Sequence, residues 1–194
     1  MNLSTIPASL ETVAPECWAV TEGGLSGQAP ARTDLFTDPL SERRLHSAPM
    51  LLFPTEGDFL LEAEVTVEFA ATFDAGVLLL WQDSNHWAKL CYEYSPQGQP
   101  MVVSVVTRGA SDDCNSIAMT ENRICLRVGR RGPGCVFHYS TDGVYWHMVR
   151  AFRLNEGPMQ AGFLVQSPTG EGCRATFRNI RYRQETLRAL RSGA

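Results

Sequence analysis

The sequence predicts an all-β protein whose antiparallel strands form a sandwich or a barrel. From residue 58 onward, short runs of β-branched, aromatic and leucine residues are separated by clusters of Gly, Pro, Asn and Asp, which is the pattern of strands joined by turns. The runs recur at regular spacing, and between them lie no helical segments of the kind that parallel strands would require. A chain of 194 residues is also long enough to bury a substantial core.

We expect a single domain over residues 1–194. Residues 1–50 are rich in Pro, Ser, Thr and Gly and should be mostly loop, packed on or flanking the core, with one short strand near residues 17–20. The core itself is expected over residues 51–183. A short tail, residues 184–194, follows, and the run RQETLRALR predicts a short helix there. Nine strands are predicted, near residues 59–69, 74–82, 87–94, 101–108, 123–130, 134–141, 144–151, 160–167 and 174–183.

Composition excludes several classes of function. The formal charge is −4, with 44% hydrophobic and 20% charged residues, and no basic stripe of the kind that nucleic-acid binding needs is present. No apolar run approaches the roughly 18 residues of a membrane span, and the first residues lack the features of a secretory signal. The six cysteines lack C-x-x-C spacing, so we expect mostly reduced thiols in a cytoplasmic protein, although their even number leaves disulfides open. No metal-binding or cofactor-binding motif is present, so we expect the protein to bind neither a metal ion nor a cofactor.

Two hairpins allow side chains to be assigned to faces. With QDSNH as a loop, Trp81 pairs with Trp87, and both tryptophans lie on the same face as Lys89. With SPQGQP as the next loop, Tyr94 pairs with Met101. The polar Lys89, Glu93, Ser104 and Arg108 then lie opposite the apolar Leu90, Tyr92, Met101, Val103 and Val105.

A third hairpin is indicated by Asp142-Gly143, because both central positions tolerate positive φ. Pairing Thr141 with Val144 separates apolar from polar positions. One face then carries Phe137, Tyr139, Trp146 and Met148, and the other carries His138, Ser140, Tyr145 and His147.

Lys89 is the only lysine, against sixteen arginines, which favours a role for a compact ammonium group that the planar guanidinium of arginine cannot fill. The alternative is an ordinary surface lysine. Lys89 and Glu93 are four positions apart on a strand, so their Cα atoms should lie roughly 13 Å apart and the two cannot pair directly. Glu93 would instead form a structural ion pair with Arg108 or Arg127.

Two further groups have both a functional and a structural interpretation. Trp87, which follows a turn, could form an apolar platform for a sugar ring, whereas Trp81, beside VLLL, fits better in the core. Glu62 and Glu64 lie on one face roughly 7 Å apart, within reach of the two-carboxylate geometry of glycosidases. Their alternation with apolar residues is equally typical of a half-solvated strand, and we favour that interpretation.

Several linked segments resemble a domain-of-unknown-function family of the concanavalin A-like lectin/glucanase superfamily, the family that contains the regulation-of-enolase proteins. They are GDFLLEAEVTVEF, FDAGVLLLWQDSNHWAKLCYEY, SVVTRGASDD, RICLRVGRRG, YSTDGVYWHMVRAFRL and AGFLVQSP. The resemblance covers residues 33–183 and implies a jelly-roll sandwich of two antiparallel sheets. Positions that match the family's motifs are Asp74, Lys89, Glu93, Ser140, Asp142, Gly143, Trp146 and Arg150.

The resemblance has one departure. Where the family has an aromatic residue shortly after Ser-Asp, this sequence has Asp113 and Cys114, which argues against a ligand platform in that loop. Because fold alone does not assign activity, the family leaves the function open.

We therefore expect a noncatalytic domain that binds a carbohydrate or a sugar-related metabolite on the sheet face of Lys89 and Glu93. A carbohydrate-active enzyme using Glu93 or the Glu62/Glu64 pair is one alternative. A protein-interaction module that regulates a metabolic enzyme is another, and a protein partner or a homo-oligomer is left open. The candidate binding residues are Lys89, Glu93, Trp87, Trp81, Arg108, Arg127, Trp146, Arg150 and Asp74.

Overall fold

A computed structural model of the chain describes residues 11–194. Within that range the chain forms sixteen strands and a short 3₁₀ helix, Pro15–Cys17. In chain order the strands are β1 Glu11–Val13, β2 Trp18–Thr21, β3 Gly24–Pro30, β4 Leu35–Thr37, β5 Arg44–His46, β6 Met50–Thr55, β7 Phe59–Glu68, β8 Ala75–Asp83, β9 His86–Tyr94, β10 Pro100–Arg108, β11 Ala110–Ala118, β12 Arg123–Arg131, β13 Gly134–Ser140, β14 His147–Phe152, β15 Met159–Gln166 and β16 Gly172–Arg183.

Fourteen of these strands form two antiparallel sheets of seven, which confirms the predicted jelly-roll sandwich. The front sheet has the order β1-β6-β15-β8-β9-β10-β11, and the back sheet has the order β14-β13-β12-β7-β16-β3-β2. The inward-facing apolar side chains of both sheets form one continuous core that includes Phe53, Leu78, Tyr92, Phe137 and Phe177. Alternation along each strand therefore places every second residue in this core.

The outer face of the front sheet is also covered. The two-stranded β4–β5 sheet and its flanking residues lie over it, and Leu35 and Ala48 pack with the outward-facing Leu79, Trp87 and Val105. The central strands of the front sheet are thus buried on both faces, which explains their nearly continuous apolar sequences.

All nine predicted strands are present, but the prediction missed two others in the core. β6 contains Pro54, which argues against a central strand; among residues 11–194, β1 pairs with Met50–Leu52, and β15 pairs with Pro54 itself. β11 is polar and mostly exposed, and it is the edge strand of the front sheet. Because backbone hydrogen bonds to a single neighbour suffice for an edge strand, its side chains do not reveal it.

The two ends of the chain also differ from expectation. The short strand expected near residues 17–20 is present as β2, but β1, β3, β4 and β5 give residues 11–46 more strand than the loop-rich composition indicated. The predicted helix in the tail is absent, since residues 184–194 have no regular secondary structure apart from a turn at 190–193. The part of the prediction that concerns residues 1–10 lies outside the described residues.

The predicted register of β10 is wrong by one residue. Pro100 pairs with Tyr94 and Met101 with Glu93, so the connecting loop holds five residues and not six. Met101, Val103 and Val105 therefore lie on the outer face with Lys89, whereas Ser104 faces the core opposite Leu90. The apolar pattern could not define this register, because both faces of β10 are buried. The Trp81–Trp87 pair is confirmed, as is its position on the Lys89 face.

The register predicted at Asp142-Gly143 is also wrong by one residue. Tyr139 pairs with His147 and His138 with Met148. The Asp142 carboxylate accepts hydrogen bonds from the backbone N–H groups of Val144 and Tyr145 at 2.8 Å each, and this Asx-type turn lengthens the loop. Gly143 has a φ of +74°. Trp146 and Met148 consequently lie on the outer side of the back sheet with His138.

Within residues 11–194, no helix has the length and apolar character needed to cross a bilayer. All six cysteines are free thiols.

Candidate functional site

A small cavity of about 150 Å³ lies between the outer face of the front sheet and the segment that covers it. Strand β9 contributes Lys89 and Glu93 to its floor, because positions four apart on a strand face the same side. The covering segment contributes Asp34 and Phe36. The complete lining is Asp34, Phe36, Phe73, Lys89, Glu93, Val105, Asp113, Gln166 and Pro168.

Lys89 is almost fully buried, with 2% of its surface exposed. Its Nζ donates to Gln166 Oε1 at 2.8 Å and lies 3.4 Å from Asp34 Oδ1. The rings of Phe36 and Trp87 each have their centroid 5.9 Å from Nζ, within cation–π range. Burial lowers the pKa of Lys89, but the surrounding carboxylates, Asp34 foremost, outweigh it and leave the pKa raised. Lys89 is therefore a charged, structurally engaged ammonium group and not an ordinary surface lysine.

Glu93 is 9% exposed and lines the cavity, yet within residues 11–194 its carboxyl group has no hydrogen-bond or ion-pair partner. Burial raises its pKa to about 8; Lys89 opposes this shift, and the charges of Asp113 and Asp34 add to it. At neutral pH the group is largely protonated, so it can donate as well as accept a hydrogen bond. The structural ion pair predicted for Glu93 with Arg108 or Arg127 is absent.

The cavity has more acidic than basic groups. Asp34, Glu93 and Asp113 surround a single ammonium, that of Lys89. Asp113 is exposed, but partial desolvation beside the cavity raises its pKa, and Lys89 opposes this shift. Together these groups can accept hydrogen bonds from several hydroxyl or amine donors. A few polar groups among apolar walls are typical of a pocket that binds a small ligand.

Glu93 should make stability fall as the pH rises. Its folded-state pKa of about 8 lies above the ordinary value of 4.5, so between these values the folded protein binds more protons than the unfolded chain. The stabilisation is complete below pH 4.5 and is lost as the pH rises through 8, with a slope of at most about 1.4 kcal/mol per pH unit. Urea unfolding of the wild type and of Glu93→Gln between pH 4.5 and pH 8 measures this loss of stability. Parallel stability curves for the two proteins would contradict the raised pKa.

Asp74 supports the cavity wall from behind. It is fully buried; its Oδ2 accepts from the backbone N–H groups of Ala70 and Ala71 at 2.9 and 2.8 Å, and its Oδ1 accepts from the Ser167 hydroxyl at 2.6 Å. The adjacent residue, Phe73, lines the cavity, and its carbonyl oxygen accepts from Gln166 Nε2 at 3.2 Å. Asp74 thus positions residues of the site without lining it.

The structure places Arg127 and Trp146 on the opposite, back sheet. Arg127 is buried, and its guanidinium carbon lies 3.8 Å from the centre of the Trp146 ring. It donates to Glu62 at 2.7 Å and to the Gly193 carbonyl oxygen at 2.6 Å. A larger hollow, about 770 Å³, opens beside Arg127 beneath the C-terminal tail, but there Arg127 is already engaged by these partners.

Glu62 and Glu64 are both paired with arginines. Glu62 is 7% exposed and accepts from Arg127 and from Arg183 at 2.8 Å. Glu64 lies 3.2 Å from Arg123, whose side chain is 61% exposed. The prediction placed Glu62 on the solvated face of a half-exposed strand. The residue is more deeply buried than that, because the tail covers this end of the back sheet.

Replacement of each of these two glutamates by glutamine should lower the free energy of unfolding by different amounts. Glu62→Gln removes a buried charge that two arginines share, and we expect a loss of roughly 2 kcal/mol in the free energy of unfolding. Glu64→Gln should change it by less than about 1 kcal/mol, because its partner is exposed. Urea denaturation of both variants tests this, and equal losses would contradict the distinction.

The remaining predicted residues lie around the periphery. Trp87 is fully buried and so has no exposed face for a sugar, contrary to the platform that its position after a turn predicted. Trp81 is half-buried beside His46. Arg108 is exposed and donates to the Arg153 carbonyl oxygen. Arg150 pairs with Asp112 at 2.7 Å and joins the edges of the two sheets.

Sequence reasoning missed Asp34, Phe36 and Gln166, which complete the cavity. Asp34 is 55 positions from Lys89 in the chain, within the stretch that composition indicated to be loop. One signal was available: a single buried lysine needs a nearby carboxylate. That requirement does not say which of the many acidic residues provides it. Within residues 11–194, no group of three or more His, Cys, Asp or Glu side chains is arranged to hold a metal ion.

The fold is a jelly-roll sandwich of two antiparallel seven-stranded sheets, with the cavity on the outer face of the front sheet. The family model described as "Protein of unknown function (DUF1349)" matches residues 12–185, so the chain belongs to this family. A search of curated proteins finds no match.

Solved structures share the fold at low sequence identity. A functionally unknown protein from Saccharomyces cerevisiae has a TM-score of 0.84 at 21% identity, covering 91% of this chain and 96% of its own. The carbohydrate-binding module CBM66 from Bacillus subtilis has a TM-score of 0.55 at 14% identity, covering 89% and 94%. A xylan β-1,4-xylosidase from Bacillus halodurans has a TM-score of 0.71 at 12% identity, covering 88% of this chain but only 35% of its own.

Proposed function

We propose that this protein is a noncatalytic binding domain for a carbohydrate or a sugar-related metabolite, held in the cavity of Lys89 and Glu93. The observation that carries the proposal is the Glu93 carboxyl group, which is buried at the cavity and has no partner within residues 11–194. Its oxygen atoms are not among the fully buried, unpartnered side-chain atoms of the described residues, so they face the cavity. A ligand hydroxyl there would form the hydrogen bond that no protein group makes.

The size of the cavity limits the ligand. Pockets for drug-sized molecules measure about 300–1,000 Å³, whereas this cavity measures about 150 Å³. It would therefore admit one sugar ring, such as a free monosaccharide or the end of a chain, and not several consecutive rings. Phe36, Phe73 and Pro168 supply apolar walls, which suit the C–H face of a sugar. The likeness of the fold to a carbohydrate-binding module supports the proposal.

A thermal-shift screen of monosaccharides, oligosaccharides and sugar phosphates tests the proposal. We expect at least one sugar to raise the melting temperature, because a ligand that binds only the folded state stabilises it. The shift should disappear in Glu93→Gln and in Lys89→Ala but persist in Glu64→Gln, whose change lies on the back sheet. No shift across the panel, or shifts that both cavity variants retain, would defeat the assignment.

A carbohydrate-active enzyme is the second candidate, and the raised pKa of Glu93 favours it. A carboxyl group with a pKa of about 8 can act as a general acid, and Asp34 or Asp113 would be the second carboxylate that glycoside hydrolysis needs. Hydrolysis of an oligosaccharide panel, with a bell-shaped pH profile that Glu93→Gln abolishes, would favour this reading. Inactivity across the panel would count against it.

The third candidate is a protein-interaction module that regulates a metabolic enzyme, as the resemblance to the regulation-of-enolase proteins suggests. The observation offered for it is that the large side chains of the neighbouring Val144 and Tyr145 are 78% and 74% exposed. Affinity capture that yields a stoichiometric partner, lost in a Val144→Ser/Tyr145→Ser variant and independent of added sugar, would support it. Capture that is unchanged by these substitutions would contradict it.

A further inference from the structure

We infer that the ligand of the Lys89–Glu93 cavity carries a protonated amine, so that amino sugars are the carbohydrate class that fits it. This inference deepens the proposed function and rests on it. It follows from the charges and aromatic walls of the cavity, because these features distinguish a cationic from a neutral ligand.

The charges around the cavity are unequal. Three carboxyl groups, those of Asp34, Glu93 and Asp113, face one ammonium group, that of Lys89. Lys89 is already engaged, since its ammonium group lies 3.4 Å from Asp34 and donates to Gln166. The acidic excess therefore falls on Glu93 and Asp113, of which Glu93 is buried and without a partner within residues 11–194.

An ammonium group would satisfy Glu93 better than a hydroxyl group. A hydroxyl donates one hydrogen bond, whereas an ammonium donates three and brings the opposite charge. Hydrogen bonds between charged groups are roughly twice as strong as neutral ones. The low dielectric of a buried site increases this difference.

The aromatic walls favour a cation as well. Phe36 and Phe73 line the cavity, and the faces of such rings attract cations within about 6 Å. Phe36 already makes this contact with Lys89, at 5.9 Å. The walls provide an environment in which a second cation can be desolvated beside Glu93.

Binding of an amine and binding of a neutral sugar differ in whether Glu93 releases a proton. Free Glu93 is largely protonated at neutral pH, because burial raises its pKa to about 8. An amine would bind the ionised form and expel that proton. A neutral sugar would bind the protonated form, and the proton would stay.

Isothermal titration calorimetry of the full chain tests the inference with matched probes. Glucosamine, galactosamine and mannosamine are each compared with the parent hexose and the N-acetyl derivative, at a pH where the amine is charged. We expect at least one amino sugar to bind about tenfold more tightly than both neutral counterparts. Titration in buffers of different ionisation enthalpy should show proton release for the amino sugar alone. Glu93→Gln should abolish the preference, and Glu64→Gln should retain it.

The outcomes separate the inference from the proposed function. Neutral sugars that bind as tightly as their amino counterparts would overturn the inference and leave the sugar site standing, as would a preference that Glu93→Gln retains. Cyclohexylamine that binds as tightly as any amino sugar would support the cationic ligand and overturn the sugar. Binding by none of the probes would overturn both.

Discussion

Replacement of Lys89 by methionine is expected to lower the free energy of unfolding by about 3–5 kcal/mol at neutral pH. Methionine fills a similar volume, so the loss comes from charge and not from a cavity. Asp34 is 9% exposed, and without Lys89 it becomes a buried carboxylate that lacks its cation. The Gln166 side-chain oxygen loses its donor at the same time.

The size of this loss should depend on pH. Lys89 lowers the pKa of both Glu93 and Asp113, so its removal raises both values further. At low pH the carboxyl groups are protonated and need no cation, and the difference between Lys89→Met and wild type should shrink. Urea unfolding at several pH values measures both effects. A loss that is constant with pH would show that packing, and not charge, holds Lys89 in place.

Two companion variants sharpen this test. Lys89→Arg keeps the charge but replaces a compact ammonium by a planar fork that the small cavity does not suit, so its stability should fall between wild type and Lys89→Met. The double variant Lys89→Met/Asp34→Asn removes both charges. It should lose less than the sum of the two single variants, because residues in contact couple. Simple additivity would contradict the Lys89–Asp34 contact.

Replacement of Asp74 by alanine is the second large effect, and we expect it to cost about 3–5 kcal/mol. Three hydrogen bonds to the Asp74 carboxylate are lost in a fully buried position, and hydrogen bonds to charged groups contribute about 1.5–3 kcal/mol each before the structure relaxes. The neighbouring Phe73 has a φ of +70°, a conformation that is rare for a bulky residue. The bonds to Asp74 hold this segment in place.

Asp142→Ala provides the control, because Asp142 accepts the same kinds of hydrogen bond at the surface. Its carboxylate also accepts from two backbone N–H groups and one serine hydroxyl, but the residue is exposed, so water can replace it. We expect a much smaller loss than for Asp74→Ala in thermal unfolding. Asp74→Ala should also weaken any sugar binding, since Phe73 forms a wall of the cavity. Equal losses at the two positions would refute the importance of burial.

Most of the sandwich could be predicted from local patterns. The nine predicted strands were found because each has apolar runs ended by turn residues. The Trp81–Trp87 pair was found because the turn between the strands is short and fixes the register. β10 shows the limit of this reasoning: its sequence MVVSVV is apolar on both faces, so a slip of one residue carries no penalty that the pattern reveals.

The candidate site was predicted only in part. The prediction correctly put Lys89 and Glu93 on one face and stated that they do not pair directly. Strand geometry alone is enough for both conclusions. The partners were assigned wrongly. Arg127 lies on the other sheet with Glu62, and the partner of Lys89 is Asp34, which no spacing rule links to it.

By itself, the sequence determined the all-β class, most of the strand positions and the shared face of Lys89 and Glu93, because these follow from interactions between near neighbours in the chain. Tertiary structure alone decided that this face is covered. Residues of the β4–β5 segment fold back over the front sheet, bury Lys89 beside Asp34, and leave Glu93 at a small cavity. Contacts between segments so distant in the chain depend on how the whole sandwich closes, and that is why the lone lysine became part of a buried site.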